Sequence, residues 1–415
     1  MDRLNGFTAT QLRLSMRLTF TLIIGCLAVL FLPLACVDPE DILLHGTVNV
    51  LVVDGTITNL AEPQMIRINR SKADPLTGRF GTTPITKAQV QVVVDSTQMI
   101  DCHETQDGTY QLPSDFKGQI GHAYQLRFTL SDGTRYQSTT EVMASVPPFD
   151  HLSAQFNPNS LEPAQRLAGN YAAAHDFYLD TQDPVETRNY YRWSWVLWEK
   201  QDWCRTCENA VYLIWDPSDT YLYENCYDVS QLIRGQYFVY DYACRTQCWD
   251  IFYSPDINVF SDQLTNGGPI LHRRVAQIPF YDHNGALVEI RQTGLTQSAY
   301  TYFKLFQDQT QNTGGLADTP AAAPIGNVHN VANRQEAVVG YFTAGAVFAQ
   351  RYWLDRKDSE GIPPGLFELV HGRVPQPEPV PSLVYIYSKY YVRPPTAVCV
   401  SSDSRTPSKP VGWQD

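Results

Sequence analysis

Apolar and polar residues alternate with a period of two through much of the chain. Residues 65–69 and 88–94 show this pattern, and Asp-Gly pairs at 107–108 and 132–133 separate further short runs. A period of two is typical of strands, and Asp-Gly favours tight hairpin turns. About seven short strands within roughly 95 residues is typical of a two-sheet sandwich. Residues 49–145 are therefore predicted to form an N-terminal immunoglobulin-like or transthyretin-like β-sandwich.

The pattern becomes more irregular and more aromatic after residues 146–150, which contain two prolines and are predicted to be a stiff linker. The run 189–199 alternates strongly and predicts a strand that places Tyr191, Trp193 and Trp195 on one face. Aromatic runs of the same kind recur further along the chain. The part that follows the linker is therefore also predicted to be mainly β.

This second, larger and aromatic-rich β domain is predicted over residues 151–395, with 396–415 as a C-terminal tail. One segment departs from the strand pattern, because its aromatic residues recur at spacings of three and four. Thr296 can cap a helix there that runs to about Gln311. Residues 337–348 are predicted to form a buried pair of strands. The fold class is therefore mainly β, with one or two helices.

An apolar run at residues 18–32 follows Arg17 and leads to Cys36. The run is shorter than the about 20 apolar residues that a membrane-spanning helix needs. It predicts a cleaved lipoprotein signal over residues 1–35, with Met16 as an alternative start. The lipid would be attached to Cys36, the first residue of the mature chain.

Two other interpretations of this stretch remain open. A plain secretory signal cut near Ala35 would leave Cys36 as an ordinary thiol, and an uncut helix would be a membrane anchor. Leu34 departs from the usual lipoprotein signal, which has a small residue two places before the cysteine. Residues 36–48 contain three carboxylates close behind that cysteine and are predicted to be an acidic tether.

The formal net charge of the chain limits its possible partners. That charge is −12, and residues 1–35 contribute +2, so the predicted mature chain carries −14. Binding to phosphate backbones needs basic patches. Nucleic acid is therefore not expected as a partner.

Five of the nine cysteines are close together in the sequence. They are Cys204, Cys207, Cys226, Cys244 and Cys248. Their spacing would allow a zinc site, but an exported chain meets oxidising conditions, so disulfides are favoured and no metal is expected. Spacing alone leaves the pairing open, although a link from Cys204 or Cys207 to the segment 244–248 would pin a long insertion to the domain.

Four tryptophans carry the ligand-binding hypothesis: Trp193, Trp195, Trp198 and Trp215. Flat aromatic rings with nearby amides suit a cleft that binds a glycan or a peptide. The alternative is that these residues only fill a core between strands, and strand alternation favours that interpretation for part of the set.

Sequence motifs for catalysis are missing. The chain has no His-Glu-x-x-His, no Gly-x-Ser-x-Gly and no phosphate-binding glycine loop. His329 is interpreted as a loop histidine that caps or hydrogen-bonds and not as a catalytic base. No catalytic residue and no cofactor are therefore predicted.

Two neighbouring segments resemble a known family. Residues 326–331 and 336–344 are similar to the most recognisable block of the DUF4249 lipoproteins of Bacteroidota. The residues of this family block are Gly326, Asn327, Asn330, Gly340, Tyr341 and Phe342. The resemblance extends over essentially the whole mature chain. It implies an outer-membrane lipoprotein of unknown biochemical activity, commonly encoded beside TonB-dependent receptors.

These observations lead to one main functional expectation and two alternatives. The main expectation is a non-enzymatic lipoprotein, anchored by lipid in the outer membrane at the cell surface. It would dock on a TonB-dependent barrel protein and capture a nutrient. The first alternative is a surface hydrolase that acts on glycans or peptides, and the second is a structural role in the envelope.

Overall fold

The computed structural model describes residues 50–73, 80–166, 171–185, 187–215, 222–231, 235, 237–311, 324–379 and 391–415. The predicted signal, the predicted tether and Cys36 lie outside the described residues. Within the described ranges, no helix combines the length and the apolar character that crossing a membrane requires.

The described elements are mostly short strands. The first are β1 (Leu51–Ile57), β2 (Met65–Ala73), β3 (Phe80–Pro84), β4 (Gln89–Val94), β5 (Gln98–Gln106), β6 (Thr109–Gln111), β7 (Ala123–Thr129), β8 (Arg135–Ser138), β9 (Glu141–Val142), β10 (His151–Asn157), β11 (Ala174–Gln182), β12 (Tyr190–Lys200), β13 (Trp203–Glu208) and β14 (Ala210–Trp215). The others are β15 (Tyr223–Asp228), β16 (Val239–Cys244), β17 (Trp249–Tyr253), β18 (Asn258–Ser261), β19 (Pro269–Pro279), β20 (Ala286–Gly294), β21 (Val328–Asn330), β22 (Val338–Val339), β23 (Phe342–Ala344), β24 (Val347–Leu354), β25 (Tyr391–Val392), β26 (Thr396–Ala397) and β27 (Arg405–Thr406). The α-helices of the described chain are α1 (Gln297–Gln311) and α2 (Leu366–His371). The prediction of a mainly β chain with one or two helices is confirmed.

A twelve-stranded sheet contains all nine strands of the N-terminal part. Its main path runs β21-β8-β7-β4-β5-β6-β2-β1-β22, with β3, β9 and β23 attached at its sides. Alternation in β1 buries Leu51, Val53 and Ile57 in one apolar core. A bridge between Ile325 and Val339 nearly joins the two ends of the sheet. The sheet therefore curls almost closed around that core.

Three strands of this sheet come from much later in the chain. Strands β22 and β23 both pair in parallel with β1, and β21 pairs with β8. Two strands, β22 and β23, flank Gly340 where a buried strand pair was predicted, and each pairs with β1 and not with the other. The predicted boundary at 146–150 stays a prediction, although these late strands complete the N-terminal sheet.

Strand β12 is the centre of the remaining structure. Its sheet has the order β24-β20-β12-β17-β27, with β18 also paired to β12. Tyr191, Trp193 and Trp195 share one buried cluster, as the period of two predicted. The described chain also contains three-stranded sheets with the orders β10-β11-β19, β13-β16-β26 and β15-β14-β25.

Helix α1 begins where its capping residue predicted. The Thr296 hydroxyl accepts a hydrogen bond from the Ala299 amide at 3.2 Å, which satisfies a donor of the first turn. Ala299 is buried, and the Tyr302 ring lies 4.9 Å from the ring of Tyr341. The helix therefore lays an aromatic face against the family block.

The segment predicted as a C-terminal tail is tied into the structure. Cys399 forms a disulfide with Cys248, and the Trp413 ring lies 5.7 Å from that of Trp249 and 5.0 Å from that of Trp353. Burying a tryptophan removes a large apolar area from water and so contributes strongly to stability. These contacts therefore hold the C-terminus against the second part of the protein.

Candidate functional site

A cleft of about 1010 Å³ lies beside strand β12. Trp193 and Trp195 of that strand line its base, and residues of β19 line one side. Phe306 of helix α1 and the segment 254–258 also line it. Its volume is at the upper end of the usual range for small-molecule sites. This cleft is the candidate binding site.

The base of the cleft is apolar but largely covered. Trp193 is 1% exposed and Trp195 is 7% exposed. The Trp193 indole nitrogen donates to the Gln292 side chain at 2.8 Å, so its polar end is satisfied inside the protein. These two rings therefore serve mainly as core, and offer little free ring surface for stacking on a ligand.

Two consecutive arginines of β19 line the cleft. The Arg273 guanidinium carbon lies 5.6 Å from the centroid of the Trp193 ring and 5.4 Å from that of Phe260. Arg274 lies 3.7 Å from a carboxylate oxygen of Asp176, which is buried. Burial, together with the charge of Arg274, lowers the pKa of Arg273 from its ordinary value. A guanidinium remains charged despite such a shift.

Amide side chains provide most of the other polar groups. Gln307 donates to the backbone carbonyl of Ile257 at 2.7 Å, and Asn258 donates to that of Val275 at 3.2 Å. Gln165 donates to Asp256 at 2.6 Å. Burial raises the pKa of Asp256, and the hydrogen bond from Gln165 opposes this shift. The cleft therefore combines two arginines, several amides and two carboxyl groups, Glu162 and the partly buried Asp256.

The structure brings only part of the predicted tryptophan set together. Trp193 and Trp195 line the cleft, but Trp198 packs against the cluster of Trp249 and Trp413. Trp215 lies on another sheet, where its ring contacts Tyr223 at 6.3 Å. The four residues do not line one shared cleft, and their role in ligand binding stays a prediction.

The cysteine cluster forms three disulfides. They are Cys204–Cys244, Cys207–Cys226 and Cys248–Cys399. The preference for disulfides is confirmed, and the pairing that the sequence left open links Cys204 to the segment 244–248 and Cys248 to the C-terminal region. Burial raises the pKa of the unpaired Cys102 thiol to about 12, so this thiol stays protonated.

The same cluster is the candidate for holding a metal. In the part of the chain that the structure describes, the sulfurs of Cys204, Cys244 and Cys248 form the one group with suitable ligands, all within 4.8 Å. Metal ligation requires thiolates, but each of these sulfurs is bonded in a disulfide. With these disulfides formed, the cluster therefore has a structural role.

A smaller cavity of about 380 Å³ lies in the N-terminal sheet. It is lined in part by Asp95, Lys117 and His122. His122 Nδ1 lies 2.6 Å from the Asp95 carboxylate, which also accepts the Ala123 amide at 2.9 Å. These bonds tie the turn between β4 and β5 to the start of β7, which is a structural role.

The family block packs closely against strands of the N-terminal sheet. A Cβ atom on Gly326 would lie 1.6 Å from the Gly340 carbonyl oxygen, and one on Gly340 would lie 2.0 Å from the Val53 oxygen. Tyr341 donates to buried Glu141 at 2.9 Å, and Asn330 donates to Glu336 at 2.6 Å. Backbone packing this close admits only glycine.

His329 lies in strand β21 and not in a loop as interpreted from the sequence, and its surroundings are structural. Its Nε2 is 3.3 Å from the Gln137 amide nitrogen on the paired strand β8. Burial, with the charge of Arg334, lowers the pKa of His329 from its ordinary value. The ring is therefore neutral near pH 7, and its bond to β8 agrees with a hydrogen-bonding role.

Sequence reasoning missed the cationic side of the cleft. The signal was present, because Arg273 and Arg274 interrupt the alternation of β19 where a buried strand would have an apolar residue. Because side chains alternate along a strand, the sequence predicts that one of the two arginines points to the buried face of β19. It could not show that strand β19 would lie beside Trp193.

The fold and the cleft together define a disulfide-bonded, mainly β protein with a ligand-sized site. A family model described as Domain of unknown function (DUF4249) matches residues 37–351. The chain therefore belongs to the DUF4249 family, and the resemblance noted in the sequence is confirmed. A search of curated proteins found no match to the chain.

Proposed function

We propose that this protein is a non-enzymatic lipoprotein that captures a nutrient at the outer surface of the outer membrane. The cleft beside β12 is the observation that carries the proposal, because it combines a ligand-sized volume with amide and cationic groups. Sites with a few placed polar groups over an apolar base are typical of small-molecule binding. The captured ligand would be a glycan or a peptide.

Anchoring at Cys36 is the second part of the proposal. The apolar run before that cysteine and the acidic residues behind it support a lipid-anchored chain on a tether. Three disulfides are in agreement with an oxidising compartment. An anchor keeps the cleft at a high local concentration beside any partner in the same membrane.

The proposed partner is a TonB-dependent barrel protein, to which the captured nutrient would be delivered. The test is a mild-detergent pull-down of the tagged full chain from its native membrane, followed by mass spectrometry. Recovery of such a barrel protein in stoichiometric amounts would support an accessory role in uptake. Recovery of the lipoprotein alone would overturn it.

The anchor has its own test. Metabolic labelling with a palmitate analogue should label the wild-type chain and leave C36A unlabelled, since only a cysteine can receive the lipid. C102A is the matched control, because it removes a cysteine that is not in a disulfide and should keep the label. Equal labelling of wild type and C36A would exclude Cys36 as the attachment site.

A surface hydrolase is the second candidate. The observation in its favour is Asp256, a cleft carboxyl whose pKa is raised by burial, as general acids require. Glu162 lines the same cleft and could provide the second carboxylate. Hydrolysis of a glycan or peptide by the wild type, abolished in D256N, would replace the non-enzymatic proposal. Retained binding without turnover would support capture.

A further inference from the structure

We propose that the cleft binds an acidic oligosaccharide and that Arg273 holds a carboxylate of this ligand. The inference rests on the proposed capture function and narrows the ligand to one chemical class. It is carried by the environment of Arg273, which differs from that of Arg274, the other arginine that lines the cleft.

Among the described residues, the positive charge of Arg273 has no carboxylate partner. In the regions that the structure describes, no carboxylate lies within ion-pair distance of its guanidinium, and its Nε is buried without a hydrogen bond. Its neighbours are the aromatic rings of Trp193 and Phe260. Stacking on two rings fixes the plane of the guanidinium, so its donors are oriented before any ligand arrives.

Arg274 provides the contrast on the same strand. It lies 3.7 Å from Asp176, whose carboxylate also accepts hydrogen bonds from Ser160 at 2.7 Å and Asn157 at 2.9 Å. The charge of Arg274 is therefore balanced within the protein. Arg273 is the cleft arginine that a ligand could balance.

A carboxylate is the group that best matches this environment. Guanidinium donors form two parallel hydrogen bonds to a carboxylate, and such charge-assisted pairs are the stronger class. The chain carries a net charge of −12, so its net field repels anions. Attraction for an acidic ligand would therefore be concentrated where Arg273 is exposed in the cleft.

The remaining lining favours a sugar over a peptide. The amide nitrogens of Gln277, Gln307 and Asn258 already donate to backbone carbonyls, and their amide oxygens can accept hydrogen bonds from the hydroxyl groups of a sugar. The tryptophans at the base are nearly covered, so large apolar side chains of a peptide would find little free ring surface. A polar ligand with many hydroxyls and a carboxylate meets both conditions.

The test uses the full chain purified in detergent on a printed array. The array holds oligogalacturonates and sialylated oligosaccharides, the matching neutral oligosaccharides, and acidic peptides. Four proteins are compared: wild type, R273Q, R273K and R127Q. Arg127 is exposed on β7 of the N-terminal sheet and does not line the cleft. R127Q therefore removes the same charge at a site outside the cleft.

We expect wild type and R127Q to bind acidic sugars in preference to neutral ones. Loss of a hydrogen-bonded charge should weaken this binding at least tenfold in R273Q. R273K should bind with intermediate affinity, because lysine keeps the charge but not the planar pair of donors. A thermal melt of each variant identifies any that fail to fold. If R273Q does not fold, the comparison of R273K with the wild type tests the inference.

Several results would overturn the inference. Binding only to neutral sugars would leave the capture function standing and remove the role of Arg273. Binding only to acidic peptides would overturn the choice of sugar. Equal affinity of wild type and a folded R273Q would show that Arg273 only covers Trp193. Lack of binding to any ligand would overturn the inference together with the glycan or peptide cleft.

Discussion

The side chain of Asn327 forms two hydrogen bonds with the backbone of Phe342, one to its carbonyl and one to its amide. Its Nδ2 donates to the Phe342 carbonyl at 2.7 Å, and its Oδ1 accepts from the Phe342 amide at 2.9 Å. Both atoms that it satisfies are buried. An amide side chain here does what a neighbouring strand would do, and it joins two segments of the family block.

Removing this side chain should therefore be costly. N327A leaves a buried donor and a buried acceptor unpaired, at about 1–3 kcal/mol each. We expect the free energy of unfolding, measured by urea denaturation, to fall by about 2–6 kcal/mol. N159A, at an exposed asparagine, is the control and should change stability by less than about 0.5 kcal/mol. An equal effect of the two substitutions would contradict the structural role of Asn327.

Gly340 should tolerate no side chain. Its φ is +91°, and a Cβ would meet the Val53 carbonyl oxygen at 2.0 Å. Gly133 has a similar φ of +86° with open space around it, so G133A measures the cost of the backbone conformation alone, about 1–2 kcal/mol. We expect G340A to lower the melting temperature much more than G133A. Similar melting temperatures would show that the close approach is relieved at little cost.

The three disulfides should differ in their contributions. Cys248–Cys399 joins residues 151 apart in sequence, whereas Cys207–Cys226 joins residues 19 apart. Closing the longer loop removes more conformational entropy from the unfolded chain. Because this entropy loss grows with the logarithm of loop length, the longer loop should contribute about 2 kcal/mol more to the free energy of unfolding.

We therefore expect the double variant C248A/C399A to lose about 2 kcal/mol more stability than C207A/C226A in urea unfolding. C102A, which removes the unpaired cysteine, is the control for loss of a thiol. Peptide mapping without reduction verifies the pairing first. A larger loss of stability in C207A/C226A would mean that local packing, and not loop length, determines the contribution of each disulfide.

Glu289 should make stability depend on pH. Burial alone would raise its pKa, but the hydrogen bond from Arg351 and the charge of Arg291 outweigh it and lower the pKa below the ordinary value. The folded state thus holds the proton less tightly than the unfolded state. The stabilisation is present above the ordinary pKa and is lost as the pH falls through the lowered one.

We expect E289Q to unfold at lower urea concentration than wild type at pH 7, with the difference shrinking below about pH 4. E360Q, at an exposed glutamate, should follow the wild type at every pH. A gap between E289Q and wild type that stays constant from neutral to acidic pH would show that lost packing, and not charge, explains it.

Local patterns in the sequence predicted what depends on local physics. The alternation in β12 placed Tyr191 and Trp193 on one face, and Thr296 marked the start of α1. The pairing of β23 with β1 joins Phe342 to Gly55, and no local signal determines a partner so far away. The cleft depends on several such pairings, which is why Arg273 was missed.

The position of β1 between β2 and the late strands β22 and β23 has a consequence for biosynthesis. Until residue 344 has been made, one edge of β1 has free amides and carbonyls that can pair with any extended chain nearby. A nascent chain would spend most of its synthesis in that condition, and a fragment that ends at residue 145 would keep it permanently. Such a fragment should aggregate, and chaperones that cover exposed strands should favour the yield of the whole protein.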